Sequence, residues 1–305
     1  MIAGHAPLAF ALVAVLATVY GTSAKRALRL GLVAGGFALV PDVDMVYAVA
    51  GLLGAQPAGV WGAVDAFWTS SKVVHRDLSH SLLIAIPAIV GFAAVTARRF
   101  TGVAILPLIG IIALGGVTGG ILGGVIMGLY VAMGLAVVLL ASELDLGPRA
   151  ILATATIGLG FHPFGDVFTG TPPSFFAPLG IEVLLERVVL HPDPTLNLLA
   201  IFGLELLCLW AAVVVATDLT GRSIRTTIDW RATAGAGYGV AALVMPAPTL
   251  DVSYHFVFSV VAIGSVGVAP LGFDLTRDRL VTATITGLAA ISMGGAAYTA
   301  VYLFV

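Results

Sequence analysis

Between Thr101 and Ser142 the chain carries no charged side chain. At about 20 residues per crossing of a hydrocarbon core ~30 Å thick, this interval is too long for one membrane span and long enough for two. It therefore has to turn, and the glycine-rich run Gly115–Gly124 is where a turn is expected. Gly116, Gly120, Gly124 and Gly128 also fall four apart, the spacing of a close helix-packing face. A turn early in the run with packing beyond it satisfies both readings. The rest of the chain is of the same kind: 59% of residues are hydrophobic, 10% are charged, and mean hydropathy is +1.08. Fourteen Lys and Arg with sixteen Asp and Glu cannot coat a soluble globule of 31.1 kDa. Apolar stretches at 6–24, 30–54, 78–97, 102–119, 121–141, 150–169, 195–216, 233–250, 252–271 and 280–305 predict an all-α polytopic membrane bundle of about ten transmembrane segments.

The first stretch is preceded by no positive charge and followed by Lys25, Arg26 and Arg29, the reverse of a secretory leader. By the positive-inside rule those residues stay cytoplasmic, placing the N-terminus on the extracytoplasmic side of the cell membrane. Successive connections then put eleven of the fourteen basic residues on the cytoplasmic side, leaving Lys72, Arg76 and Arg187 outside. A net charge of −2, a pI near 6.3 and no Lys/Arg run longer than two leave no basic surface for a nucleic acid. The single cysteine, Cys208, excludes a disulfide framework and a Cys-based zinc site, so a metal would be held by His and carboxylates.

Those residue types collect in a few places. His5 opens the first span, and Asp42 and Asp44 interrupt the second within Leu39-Val-Pro-Asp-Val-Asp-Met45. His75-Arg-Asp-Leu-Ser-His-Ser81 leads into the third, and His162-Pro-Phe-Gly-Asp166 ends the sixth. At about 1.5 Å per helical residue from the nearest cytoplasmic charge, Asp42 and His162 lie at ~20 Å, His80 at ~27 Å and His5 at ~30 Å, one layer in the outer half. A carboxylate in hydrocarbon costs about 2.5–3.5 kcal/mol, and two carboxylates two residues apart also repel. The neighbouring spans offer no basic residue at that depth, so imidazoles and a divalent cation are the candidates for neutralising them. His75 and His80, five apart, cannot face one ion from a continuous helix. A helix start between them, with Asp77 or Ser79 as N-cap, lets both do so. His162 and Asp166, at i and i+4, share a face if the helix persists past Pro163 and Gly165.

Pro-Asp-Val-Asp at 41–44, the 75–81 segment, and His162 with Asp166 and Thr169 before Gly170-Thr-Pro-Pro-Ser-Phe-Phe-Ala-Pro178 resemble the YdjM-type family of membrane-bound metal-dependent hydrolases. His5 suits the N-terminal His of that family. The resemblance covers about residues 1–180, a hydrolase-like core. Residues 181–305 read as additional transmembrane helices without a matching motif. The resemblance implies an integral membrane protein with a divalent-metal site and hydrolytic chemistry. Pro163 and Gly165 depart from the uninterrupted apolar helix usual there.

These observations predict a metal held by His75, His80 and His162 with Asp42, Asp166 and His5. Zinc is the first choice, with Mn2+ or Mg2+ as alternatives. Asp44 is expected to accept the proton of a bound water, and Arg76, with Lys72, to clamp an anionic group of a small-molecule or lipid-linked substrate, such as a phosphoester. A cation or proton-coupled transporter with an intramembrane His/Asp site is the alternative, and a scaffold stapled by metal a third. Asp251, Tyr254 and His255 are candidates only for supporting contacts, His191 reads as a loop residue, and Glu182 and Glu186 as the solvated face of an interfacial helix.

Overall fold

The computed structural model describes residues 3–54, 59–71, 76–97, 101–268 and 276–305. All regular structure among them is helical. The chain divides into two compact units, His5–Arg187 and Val188–Val305. The first contains α1 (His5–Val19), α2 (Ala24–Ala38), a 3-10 turn at Pro41–Met45, α3 (Val46–Gly54), α4 (Gly59–Ser71), a second 3-10 turn at Leu78–His80, α5 (Leu82–Val95), α6 (Thr101–Glu143) and α7 (Pro148–Gly165). The second contains α8 (Pro194–Leu219), the short α9 (Ile224–Thr227), a 3-10 segment Trp230–Val240, α10 (Ala241–Val244), α11 (Tyr254–Ala262) and α12 (Arg277–Tyr302).

Ten spans are not supported. Among the described residues four helical stretches are long and apolar enough to cross a membrane: Ile105–Glu143, Pro148–Phe168, Pro194–Leu219 and Arg277–Tyr302. The pair Ala24–Ala38 and Pro41–Val49, bent by 42°, makes a fifth if it counts as one span. Hydropathy measures the length of an apolar run, whereas crossing requires helical rise. Helices α1 and α5, with 15 and 14 residues, are shorter than the ~20 a core needs. Residues 233–250 form 3-10 structure, one helical turn and then non-helical chain. The expected interfacial helix around Glu182 and Glu186 is also absent: residues 179–193, which follow Pro178 and include Gly180, form no helix.

The reversal expected at the start of the Gly115–Gly124 run falls instead at its middle, at Gly120, whose φ of 61° and ψ of −151° break α6. Its two arms fold onto each other: a Cβ on Gly115 would sit 2.6 Å from the Gly123 carbonyl oxygen. Small residues set the other contacts of the first unit. Phe10 of α1 lies over Gly31, and Phe92 of α5 over Gly134 of α6. Around these contacts Val33, Phe37, Ile84, Phe92, Met127, Tyr130, Ile151 and Leu159 form one buried core. In the second unit Leu198, Leu199, Phe256, Val260 and Tyr298 form their own. There Asp193 caps α8, accepting from the Leu196 amide at 2.8 Å, with Pro194 in the first helical position.

Helix α2 lies tightly against α7 at Gly158. A Cβ there would meet Phe37 Cβ at 2.6 Å, the Ala34 carbonyl oxygen at 2.7 Å and the Ala38 nitrogen at 2.8 Å. Backbone cannot yield as a flexible side chain does, so Gly158→Ala is expected to force α2 and α7 apart. The expected cost is about 1–3 kcal/mol, read as a lowered Tm of the detergent-solubilised protein.

Candidate metal centre

The four helices around this centre alternate in direction, and their connections bring four chain ends to one end of the first unit: the start of α1, the end of α2, the start of α5 and the end of α7. Each end contributes chemistry. His5 opens α1. Pro41 starts a 3-10 turn that diverts the chain after α2 and presents Asp42 and Asp44. His80 closes the 3-10 turn before α5. Helix α7 continues through Pro163 to Gly165, and Asp166 begins a further 3-10 turn, so His162 and Asp166 keep their i, i+4 relation.

Asp42 Oδ1, His80 Nε2, His162 Nε2 and Asp166 Oδ2 converge. The two imidazole nitrogens are 3.1 Å apart. Asp166 Oδ2 is 3.1 Å from His80 Nε2 and 3.3 Å from His162 Nε2. Asp42 Oδ1 is 3.7 Å and 3.5 Å from the same two atoms. The four residues form a group able to hold a metal ion, their ligand atoms all within 4.8 Å of one another. These five distances, 3.1–3.7 Å, bracket the edge of about 3.3–3.6 Å that a tetrahedron of Zn–N and Zn–O bonds of ~2.0–2.2 Å would have, and the sixth pair, Asp42 Oδ1 and Asp166 Oδ2, lies within 4.8 Å.

The hydrogen bonds behind the donors decide which atoms face inward. His162 Nδ1 lies 2.7 Å from the Ala38 carbonyl oxygen, which can only accept, so Nδ1 carries the hydrogen and the neutral ring presents a bare Nε2. His80 Nδ1 lies 3.4 Å from Asp44 Oδ2 and 3.0 Å from Ser79 Oγ, while Ser79 donates its hydroxyl to Asp44 at 2.6 Å. His80 therefore also donates from Nδ1 and turns a lone pair inward. With both rings neutral, two imidazole lone pairs and two carboxylate oxygens face one another in a buried space, an arrangement that requires positive charge between them, as a metal ion or as protons on the imidazoles. The donor set fits a divalent metal, and the carboxylate and carbonyl behind the two histidines are the usual orienting partners of metal-bound imidazole.

The other sequence candidates divide. His5 joins the group from its edge: its ring stacks on His162 with centroids 3.9 Å apart, and Nε2 lies 3.1 Å from Asp166 Oδ1. Asp44, fully buried, sits behind His80 and also accepts from the Arg76 amide at 3.3 Å. Arg76 is buried, with its guanidinium turned to the 166–171 loop. It donates to Asp166 Oδ1 at 3.3 Å, Thr169 Oγ1 at 2.8 Å and the Thr171 carbonyl at 2.9 Å, and to the Thr169 carbonyl. Its φ of 70° is a left-handed conformation held by these bonds and by Ser174 N donating to the Arg76 carbonyl at 3.0 Å. His75 and Lys72 lie outside the described residues. His191 lies in the second unit, where its Nδ1 accepts from the Asp193 amide at 3.0 Å. His255 belongs to that unit too, at the start of α11.

The N-cap of α5 is Ser81, not Asp77 or Ser79. Its Oγ accepts from Leu83 N at 3.2 Å and donates to the Ala177 carbonyl at 2.7 Å. The 76–82 and 174–177 segments are thus bonded to each other, as Leu82 N to the Phe175 carbonyl at 2.9 Å also shows. The sequence gives no sign of the Ala38 carbonyl, since any residue supplies one. Ser79 is visible as a polar residue beside His80, but its bond to Asp44 depends on the fold.

Fold and site define a helical membrane protein with a buried His/Asp group suited to a metal ion. The chain belongs to the YdjM inner membrane protein family, whose model matches residues 1–250. That match extends past residue 180, where the motifs themselves end. No curated protein and no solved structure matches the chain.

Because Asp44 acts on His80 from behind, Asp44→Asn is expected to weaken Zn2+ binding by about 10–100-fold while the helical content is retained. Competition against a chromogenic chelator measures it. Arg76→Lys keeps the charge but loses the planar fork that holds Asp166 and Thr169 together, and is expected to lower affinity in the same assay.

Proposed function

We propose that the protein is an integral membrane metal-dependent hydrolase, with zinc as first choice of ion and Mn2+ or Mg2+ as alternatives. The observation that carries this reading is the convergence of Asp42, His80, His162 and Asp166 with two inward-facing imidazole lone pairs. When bound, zinc would supply Lewis-acid chemistry, lowering the pKa of a coordinated water to about 7.

The chain's own residues do the rest. Asp42 is the one donor with substantial exposure, its side chain 25% accessible against 0% for both histidines, so a reacting group approaches from its side. The water oxygen bonds to the electrophilic phosphorus or carbonyl carbon, and the bond from that atom to the ester oxygen breaks. The proton released by water passes to the Asp42 carboxylate and then to the departing oxygen. This moves the proton acceptor from Asp44 to Asp42, because Asp44 is directed at His80, Ser79 and the Arg76 amide. Arg76 acts as a positioning residue for Asp166 and its loop. Lys25, Arg26, Arg29 and Arg149 lie at the opposite ends of α1, α2 and α7, and by the positive-inside rule this supports an extracytoplasmic site.

Purified protein is expected to carry about one tightly bound divalent ion per chain and to hydrolyse bis(p-nitrophenyl) phosphate or a p-nitrophenyl ester. Chelation should abolish turnover and metal return should restore it. His80→Ala should lose both metal and turnover. A stoichiometric, slowly exchanging ion also argues against transport. Bound metal with no turnover on either ester, and loss of fold in His80→Ala, would leave only a metal staple and overturn the hydrolase reading.

A further inference from the structure

His5 stands beside the four-donor group without belonging to it. It is buried at the start of α1, outside the set Asp42, His80, His162 and Asp166 whose ligand atoms lie within 4.8 Å of one another. Its ring lies flat on His162, with centroids 3.9 Å apart and planes inclined by 25°. An ion lies in the plane of the imidazole that binds it, about 2.0–2.1 Å from the nitrogen for zinc. Planes stacked in this way converge far beyond that reach, so His5 and His162 do not share one ion. His5 Nε2 instead lies 3.1 Å from Asp166 Oδ1, while Asp166 Oδ2 is the oxygen near His80 and His162. Arg76 Nη2 reaches the same Oδ1 at 3.3 Å. A guanidinium charge there opposes a second cation bridged by Asp166. An ionised carboxylate only accepts, so His5 Nε2 beside Oδ1 carries a hydrogen and donates it.

We infer that His5 is a positioning residue and not a ligand: it holds Asp166 by Oδ1, so that Oδ2 alone is offered to the ion, and it holds the plane of His162. The two supports of His162 are complementary. The Ala38 carbonyl fixes the ring by its edge at Nδ1, and His5 fixes it by its face. For Asp166 the consequence is a count of ligands. A carboxylate bound through one oxygen fills one position, whereas bound through both it fills two and takes room from the side where Asp42 is exposed. The inference rests on the metal centre of the proposed hydrolase, but it is read from ion binding and not from turnover.

The test titrates the full-length, detergent-solubilised protein with Co2+ and reads Zn2+ affinity by competition with a chromogenic chelator. His5→Phe keeps a flat ring and removes the donor. It is expected to bind one ion per chain about 10–100-fold more weakly than the wild type. Its visible Co2+ band should be shifted and weaker, as both Asp166 oxygens turn to the ion and the coordination number rises. His5→Gln supplies a donor again and should recover part of the affinity and of the wild-type band. X-ray absorption of the zinc-loaded wild type, which depends on no variant folding, should count two imidazoles. Three imidazoles, a second ion per chain that is lost in His5→Phe, or loss of all binding in a folded His5→Phe would make His5 a ligand and overturn the inference. Affinity and band unchanged in His5→Phe would overturn it too. A wild type that binds no ion would overturn the metal centre itself. The expected affinities and band in a protein that hydrolyses no ester would overturn the hydrolase reading and leave His5 in this role.

Discussion

Four electron-rich atoms pointed at one another, in a space from which water is largely excluded, are the constraint on which the rest of the first unit depends. Left alone, Asp42, Asp166 and two neutral imidazoles repel, and the low dielectric magnifies the repulsion. The surrounding bonds act to keep them aimed inward. The Ala38 carbonyl fixes one ring, Asp44 with Ser79 fixes the other, and Arg76 ties the Asp166 carboxylate to its own loop. An arrangement held this firmly against its own electrostatics makes sense around a cation.

The fold supplies this arrangement by gathering helix termini. Side chains in the middle of antiparallel spans would meet across a packed apolar interior, whereas a terminus lets the chain leave helical geometry and aim a residue freely. Pro41, the turn at 78–80 and the turn starting at Asp166 all serve in this way. Gly158 then allows α7 to approach α2 closely enough for His162 to reach Ala38. Irregular backbone at membrane depth is tolerated because these turns are buried in protein and bonded to each other.

Much of the site was legible because an acid or imidazole inside an apolar sequence has few reasons to be there. Asp42, His80, His162 and His5 stood out by depth and Asp166 by its i, i+4 relation to His162, and these side chains do meet. The division of labour between Asp42 and Asp44 was less visible. On a 3-10 turn of three residues per turn, positions i and i+2 point about 120° apart, so the two cannot face the same centre. One goes to the donor group and the other behind His80. The start of α5 was placed too early because Asp77 and Ser79 are good caps by type, while Ser81 is selected by its bond to Ala177, a contact across 96 residues. The number of spans failed for a different reason: apolar composition persists through 3-10 and broken stretches that do not advance along the membrane normal as a helix does.

Four protein donors fill a zinc tetrahedron, and closed tetrahedral sites are generally structural, whereas catalytic ones keep a position open. The centre is not uniform in this respect. His80, His162 and Asp166 form a compact triangle with edges of 3.1–3.3 Å, all three essentially inaccessible. Asp42 stands off from both imidazoles at 3.5 and 3.7 Å and is the one partly exposed member. On the proposed hydrolase reading, three inaccessible donors with a partly exposed fourth put the open side of the site at Asp42, and an ion preferring six ligands would leave positions open on that same side. On that reading a carboxylate at the exposed edge would both leave the site open and take the proton, so the two roles would belong to one side chain. The asymmetry between Asp42 and the other three donors is what favours chemistry over a mere staple.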